Sequence, residues 1–188
     1  MRVSLVSPLT IGLSAREASE KAYGDAPLGV LTLAAVARAS GFGVDVFDLD
    51  HLSHVTRPER FVEECAERIA GGDVIGLGTI CDSYPLTMRL AREIRRRRPE
   101  AFLVLGGPQA TVTDVAALRA APEIDAVARG EAERILPALL RAVETGGDLA
   151  GVPGLTYRKG GAVARTAEAP LILDLDEIPD PAWDLDLI

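Results

Sequence analysis

Few residues in this chain of 188 are equipped for bond-making chemistry. It holds two cysteines, Cys65 and Cys81, two histidines, His51 and His54, and no obvious nucleophile–base pair. Two cysteines make neither a disulfide framework nor a zinc site by themselves. Cys65 falls on the apolar stripe of a helical run, and the two histidines read as loop residues. The more informative residues are small. Gly78-Thr79 and Gly106-Gly107 each end a short apolar run, Val-Ile-Gly-Leu-Gly-Thr and Phe-Leu-Val-Leu-Gly-Gly. Glycine at a strand exit lets a guest approach the backbone without meeting a Cβ. That arrangement suits a cleft for a large, mostly uncharged guest.

The elements that must position these residues follow from periodicity. Short apolar runs at Val3–Val6, Val44–Phe47, Val74–Gly78, Phe102–Leu105 and Ile124–Ala128 read as buried parallel strands. Helical patterns separate them: Leu28–Ser40 behind Pro27, a run from Arg57-Pro58 to about Ala70, one opened by Tyr84-Pro85, a short one over Val115–Ala121 capped by Thr113-Asp114, and one from Ile135 that stops at Gly146-Gly147. Five β-then-α units in series predict an α/β fold, a doubly wound five-stranded parallel sheet, Rossmann-like, in the flavodoxin-like order 2-1-3-4-5. Its switch point lies between strands 1 and 3, beside Gly78-Thr79. Leu9 to Pro27 is too long for an ordinary strand–helix connection and reads as a binding loop, or else as a tolerated surface insertion. The expected domain spans residues 1–150. Residues 151–188 are expected to form a β-hairpin around Lys159-Gly160-Gly161 and an extended, proline-broken linker whose Leu173, Leu175, Ile178 and Trp183 lie against something apolar.

Composition narrows the function classes. Hydrophobic content of 48% with 4% aromatic predicts an aliphatic core, and the formal net charge of −8 argues against sequence-independent nucleic-acid binding. No apolar run approaches the ~20 residues of a membrane span, so a cytoplasmic, soluble protein is expected. Ser7-Pro8-Leu9-Thr10-Ile11-Gly12 supplies no dinucleotide glycine loop, and no Gly-Lys-Ser/Thr phosphate loop occurs. The acids that a response-regulator receiver needs are replaced by Ser7-Pro8 and Gly78-Thr79.

Five segments together resemble one family. They are Ala26-Pro27-Leu28-Gly29-Val30-Leu31-Thr32-Leu33-Ala34-Ala35, Val74 to Thr79, Leu105-Gly106-Gly107-Pro108-Gln109-Ala110-Thr111, Arg129-Gly130-Glu131-Ala132-Glu133, and Asp174-Leu175-Asp176-Glu177-Ile178-Pro179. Their order and spacing are similar to the cobalamin-binding domain that precedes the catalytic domain of cobalamin-dependent radical S-adenosylmethionine (SAM) enzymes.

The resemblance implies a cofactor and its neighbours. The nucleotide tail of cobalamin would thread beside the sheet and the corrin ring would cap the strand ends. Gly78 and Thr79 would line the tail, with Thr79 able to donate to it. Gly106 and Gly107 would let it pass strand 4, and Gly130 and Glu131 would border a third side, unless Glu131 only caps the last helix. Leu28, Gly29 and Gln109 belong to the matching segments. The lower face of cobalt would be met by the loop after strand 1, starting at Ser7 and Pro8, and by Cys81 to Tyr84. Cys81 is either a neighbour of cobalt or an inert thiol, and Tyr84 either touches the ring edge or packs under its helix. Methionine-synthase-like domains carry a histidine after strand 1 that ligates cobalt. Both histidines here follow strand 2, so the implied state has the tail detached and no histidine ligand. The motif Cys-x-x-x-Cys-x-x-Cys cannot be built from two distant cysteines. The [4Fe-4S] cluster, SAM and catalysis are therefore expected on a radical SAM domain downstream in cis, with methyl transfer favoured. The alternatives are a stand-alone cobalamin carrier or sensor, or a non-catalytic interaction domain.

Overall fold

The computed structural model describes residues 1–9 and 26–188. The expected binding loop after the first strand lies almost wholly outside the described residues. The elements are β1 (Arg2–Ser7), α1 (Leu28–Ala39), β2 (Gly43–Asp48), α2 (Leu49–Val55), α3 (Phe61–Ile69), β3 (Val74–Gly78), α4 (Tyr84–Arg97), β4 (Phe102–Gly106), α5 (Pro108–Ala120), β5 (Ala126–Ala128), α6 (Ile135–Thr145), β6 (Leu155–Lys159) and β7 (Ala162–Arg165). They build one sheet in the order β2-β1-β3-β4-β5-β6-β7. Strands β1 to β5 run parallel, in the predicted 2-1-3-4-5 order. The hairpin β6–β7, expected as an appendage, continues the same sheet by pairing antiparallel with β5.

Side-chain alternation along the strands divides the core into two layers. Ile75, Leu77, Leu103 and Leu105 pack with Phe61, Cys65, Leu90, Ile94 and Leu118 of α3, α4 and α5. Val3, Leu5, Val104 and Ala126 face the other way, toward Leu31 of α1 and Leu136, Leu139 and Leu140 of α6. Covered on both faces, these strands are apolar at nearly every position, which is the pattern of a buried parallel sheet.

Two local features depart from expectation. Residues 49–55, read as a loop, form α2, because the Asp48 side chain accepts from the Asp50 N–H and caps it. His51 and His54 sit exposed on this helix. Helix α5 starts at Pro108, well before the predicted Val115. Its first turn is capped from another strand: the Ala110 N–H donates to Thr79 Oγ1 at 2.9 Å. Asp114, predicted as a local cap, is mid-helix instead and fastens the hairpin. It accepts from the Thr156 hydroxyl and lies 3.0 Å from Arg165 Nε and 3.7 Å from Arg129 Nε. Burial pushes the Asp114 carboxyl up, but Thr156, Arg165 and Arg129 together hold it below the usual carboxylate range.

After β7 the chain crosses the α1/α6 layer as a strap. The Ile172 N–H donates to Glu131 Oε2 (2.8 Å), Arg134 pairs with Glu177, the Ala182 N–H donates to Leu31 O (3.2 Å), and Arg38 grips Asp184. The end of the strap reaches the far edge of the sheet, where Ile188 N–H donates to Val46 O and Asp48 N–H to Ile188 O. The inward side chains are Ile172 and Ala182, with Ile178, Leu185 and Leu187 half-buried. The strap does lie against apolar surface, but not through Leu173 (91% exposed), Leu175 and Trp183 (62% exposed), which point to solvent. The backbone bonds fix the strap's register and so decide which side chains turn inward.

The cysteines are inequivalent. Cys65 is fully buried, and burial pushes its thiol up to about 12, with Arg68 only partly opposing. Cys81 is exposed. A disulfide reagent such as dithionitrobenzoate is expected to titrate one thiol in the native protein and two in denaturant. Two fast native thiols would show that the α3 layer is not closed.

Among the described residues, no helix is long and apolar enough to cross a membrane.

Candidate functional site

The route of the chain opens a cleft. From β1 the chain passes through α1 to β2 at one side of the sheet, whereas β3, β4 and β5 progress toward the other side, with α4 and α5 on the opposite face. The crossovers diverge between β1 and β3, and among the described residues α1 and α6 roof this part of the sheet. Between roof and sheet, toward the strands' carboxyl ends, is a cavity of about 390 Å³. That is within the range of small-molecule sites, about 300–1,000 Å³.

Its sheet side is formed by Leu5, Val6, Gly76, Val104 and Leu105. Leu28, Gly29 and Leu33 contribute from α1, and Leu136 and Leu139 from α6. The strand exits supply Ser7, Pro8, Gly78, Thr79, Gly106 and Gly107, and the β5–α6 turn supplies Gly130, Glu131 and Glu133. The walls are therefore mostly aliphatic, with polar groups gathered where strands end and α6 begins.

The glycines differ in what they do. A Cβ at Gly29 or Gly106 would have no neighbouring heavy atom of the described residues within 4 Å. At Gly78 it would meet Pro8 Cδ at 2.8 Å and Val6 O at 3.0 Å. At Gly107, with φ of +94°, it would lie 2.6 Å from Thr79 O. Gly78 and Gly107 are thus demanded by the protein's own packing, whereas Gly29 and Gly106, both in the cavity lining, leave room for a Cβ among the described residues.

Thr79 is almost fully buried, and its hydroxyl is engaged inside the protein. It donates to Gly106 O at 2.7 Å and accepts from Ala110 N–H. A hydroxyl has one proton, so in this arrangement Thr79 has none left to donate to a guest. It clamps the exits of β3 and β4 together and starts α5. The Glu131 carboxylate is likewise engaged, by the Ile172 N–H of the strap.

Ten of the thirteen residues singled out from the sequence converge on the cavity: Ser7, Pro8, Leu28, Gly29, Gly78, Thr79, Gly106, Gly107, Gly130 and Glu131. Cys81, Tyr84 and Gln109 do not line it. Cys81 is exposed in the β3–α4 turn with its Sγ 3.2 Å from Asp82 Oδ1. Tyr84 packs on the α3/α4/α5 layer, and its hydroxyl meets Thr113. The Gln109 carbonyl accepts from the Thr113 hydroxyl inside α5. Tyr84 and Gln109 belong to helices on the far face of the sheet, and Cys81 to the turn that leads into one of them. Sequence reasoning did not single out Leu33, Leu136, Leu139 or Glu133 as site residues. The leucines have the helical spacing of any core stripe, so nothing local separates a cavity wall from a filled core.

Comparison with known proteins gives the family. The B12 binding domain family matches residues 21–140. An uncharacterized methyltransferase of Pyrococcus horikoshii is 35% identical over 113 residues, 60% of this chain and 25% of that protein. The anaerobic magnesium-protoporphyrin IX monomethyl ester cyclase of Synechocystis is 28% identical over 187 residues, 98% of this chain and 36% of that protein. Among solved structures, the cobalamin-dependent S-adenosylmethionine radical enzyme OxsB, with aqua-cobalamin and S-adenosylmethionine bound, superposes with a TM-score of 0.76 over 97% of this chain and 24% of that one, at 17% identity. The chain thus spans only about a quarter to a third of these proteins. With the parallel order, the cleft at the switch point and the match over residues 21–140 in agreement, this chain belongs to the B12-binding domain family.

Proposed function

We propose that this chain binds cobalamin with the nucleotide tail detached from cobalt, and that it serves a radical SAM catalytic domain in cis, with methyl transfer as the reaction. The observation that carries the reading is the aliphatic cavity at the β1/β3 switch point with free space at Gly29 and Gly106. Its residues fit the nucleotide arm of cobalamin: a flat, largely apolar base and a sugar need a slot without bulky side chains, and this slot has glycines where side chains would intrude. An arm burying about 200 Å² of apolar surface gains about 5 kcal/mol before ordering costs. When bound, the group would supply a cobalt centre for methyl or redox chemistry. Both histidines, His51 and His54, sit exposed on α2 and outside the cavity lining, in keeping with a cobalt without an imidazole below it. Residues 1–150 form the binding part in this reading, and residues 151–188 complete the sheet and lead toward the partner domain. The names of the methyltransferase and the cobalamin-dependent radical enzyme above support the assignment of partner and reaction.

The test is direct. Aquacobalamin added to the 188-residue chain should remain with it through desalting, and its visible spectrum should be that of the tail-off form. After reduction to cobalt(II), the electron paramagnetic resonance lines should lack nitrogen splitting. A colourless protein would end the cobalamin reading, and nitrogen-split lines would end the detached-tail reading.

A further inference from the structure

The cavity contains one acceptor that the protein leaves unused. Glu133, between Ala132 and Arg134 just ahead of α6, lines the cavity, and its Oε2 is buried without a hydrogen-bond partner among the described residues. Its polar neighbours are committed elsewhere. The Arg134 guanidinium pairs with Glu177 of the strap, and the Ser40 hydroxyl, which shares a neighbouring groove with Glu133, donates to Val36 O at 2.9 Å. Glu131, two residues earlier, is satisfied by the Ile172 N–H, so the vacancy is specific to Glu133. A buried carboxyl oxygen without a donor is costly, and folded proteins rarely leave one unless something else completes it.

Resting on the cobalamin reading, we propose that Glu133 is the specificity residue for the nucleotide arm, accepting a hydrogen bond from a hydroxyl of its ribose. The chemistry of the arm selects the partner. Its phosphodiester is anionic and is repelled by a carboxylate. Its dimethylbenzimidazole base has no N–H to give when neutral. The amide N–H of the aminopropanol link is present in cobinamide as well, so the sugar hydroxyls are the donors particular to the nucleotide. The surrounding cavity is aliphatic, so a hydroxyl carried into it needs an acceptor, and Glu133 provides one beside the α6 wall of Leu136 and Leu139. Glu133 thereby separates corrinoids that carry a ribose in the cavity from those that lack one.

The experiment compares aquacobalamin with diaquacobinamide, the corrinoid without nucleotide arm, by absorbance titration of the wild-type chain, Glu133→Leu and Glu133→Gln, with thermal melting as the check on folding. Loss of a hydrogen bond to a charged group predicts about tenfold weaker cobalamin binding by Glu133→Leu, with cobinamide binding unchanged. Glu133→Gln, which keeps an acceptor oxygen and the side-chain shape, should fall between and serves as the reporter if the leucine variant does not fold. Undiminished cobalamin affinity in both variants, or equal losses for the two corrinoids, overturns the role of Glu133 and leaves the cobalamin reading standing. A wild-type chain that takes up no cobalamin overturns that reading and this inference together.

Discussion

Gly106→Val should leave the protein folded and close it to its cofactor. The residue ends β4, outside the left-handed backbone region, and a Cβ there meets no heavy atom of the described residues within 4 Å. A β-branched side chain suits a strand, so the stability change should stay below about 1 kcal/mol, or about 3 °C in melting temperature. The added methyl groups would project into the space between the sheet and the α1/α6 roof. If they exclude about half of the apolar contact of a nucleotide arm, cobalamin binding weakens by about 100-fold. Absorbance titration and a melting curve on one preparation check both halves. A folded variant with unchanged affinity would show that the cavity is not where the cofactor lies.

The neighbouring glycine should behave in the opposite way. Gly107→Ala places a Cβ at a residue with φ of +94° and 2.6 Å from the Thr79 carbonyl oxygen. That oxygen is backbone and cannot rotate aside. Thr79 is itself held by its bonds to Gly106 O and Ala110 N–H, so relief at one position strains the joint of β3, β4 and α5. Left-handed strain and the contact together should cost about 4 kcal/mol. For a chain of this length that lowers the melting temperature by about 8–16 °C. Chemical denaturation of the pair checks the contrast. A neutral Gly107→Ala beside a collapsed Gly106→Val would mean that the two strand exits are arranged differently.

This contrast marks the limit of what was legible from sequence. Both glycines stand in one Leu-Gly-Gly-Pro run, and the sequence assigns them the same role. Only the register of Gly78 against Gly106, with Thr79 just beyond, makes Gly107 a packing necessity and Gly106 an open wall. The strand order was legible because five apolar runs alternate with helical patterns. The early start of α5 was not, because its cap, Thr79, is 31 residues away along the chain. Cys81, Tyr84 and Gln109 illustrate the same limit: they stand close in sequence to strand exits, but which face of the sheet receives them is decided by crossover geometry. Glu133 was hidden for another reason. Its distinguishing property is a missing partner, and a sequence shows residues, not vacancies.

The strap has a consequence for how a guest gets in. It is tied at Glu131, Arg134, Leu31, Arg38 and Val46, so it girdles α1 and α6 from one margin of the sheet to the other. A belt of this kind opposes an outward swing of the roof helices, mainly through its backbone bonds to Leu31 and Val46. Among the described residues the polar mouth of the slot lies at the strand tips, so a guest entering there leads with its slender end, and the girth of that end limits which visitors pass.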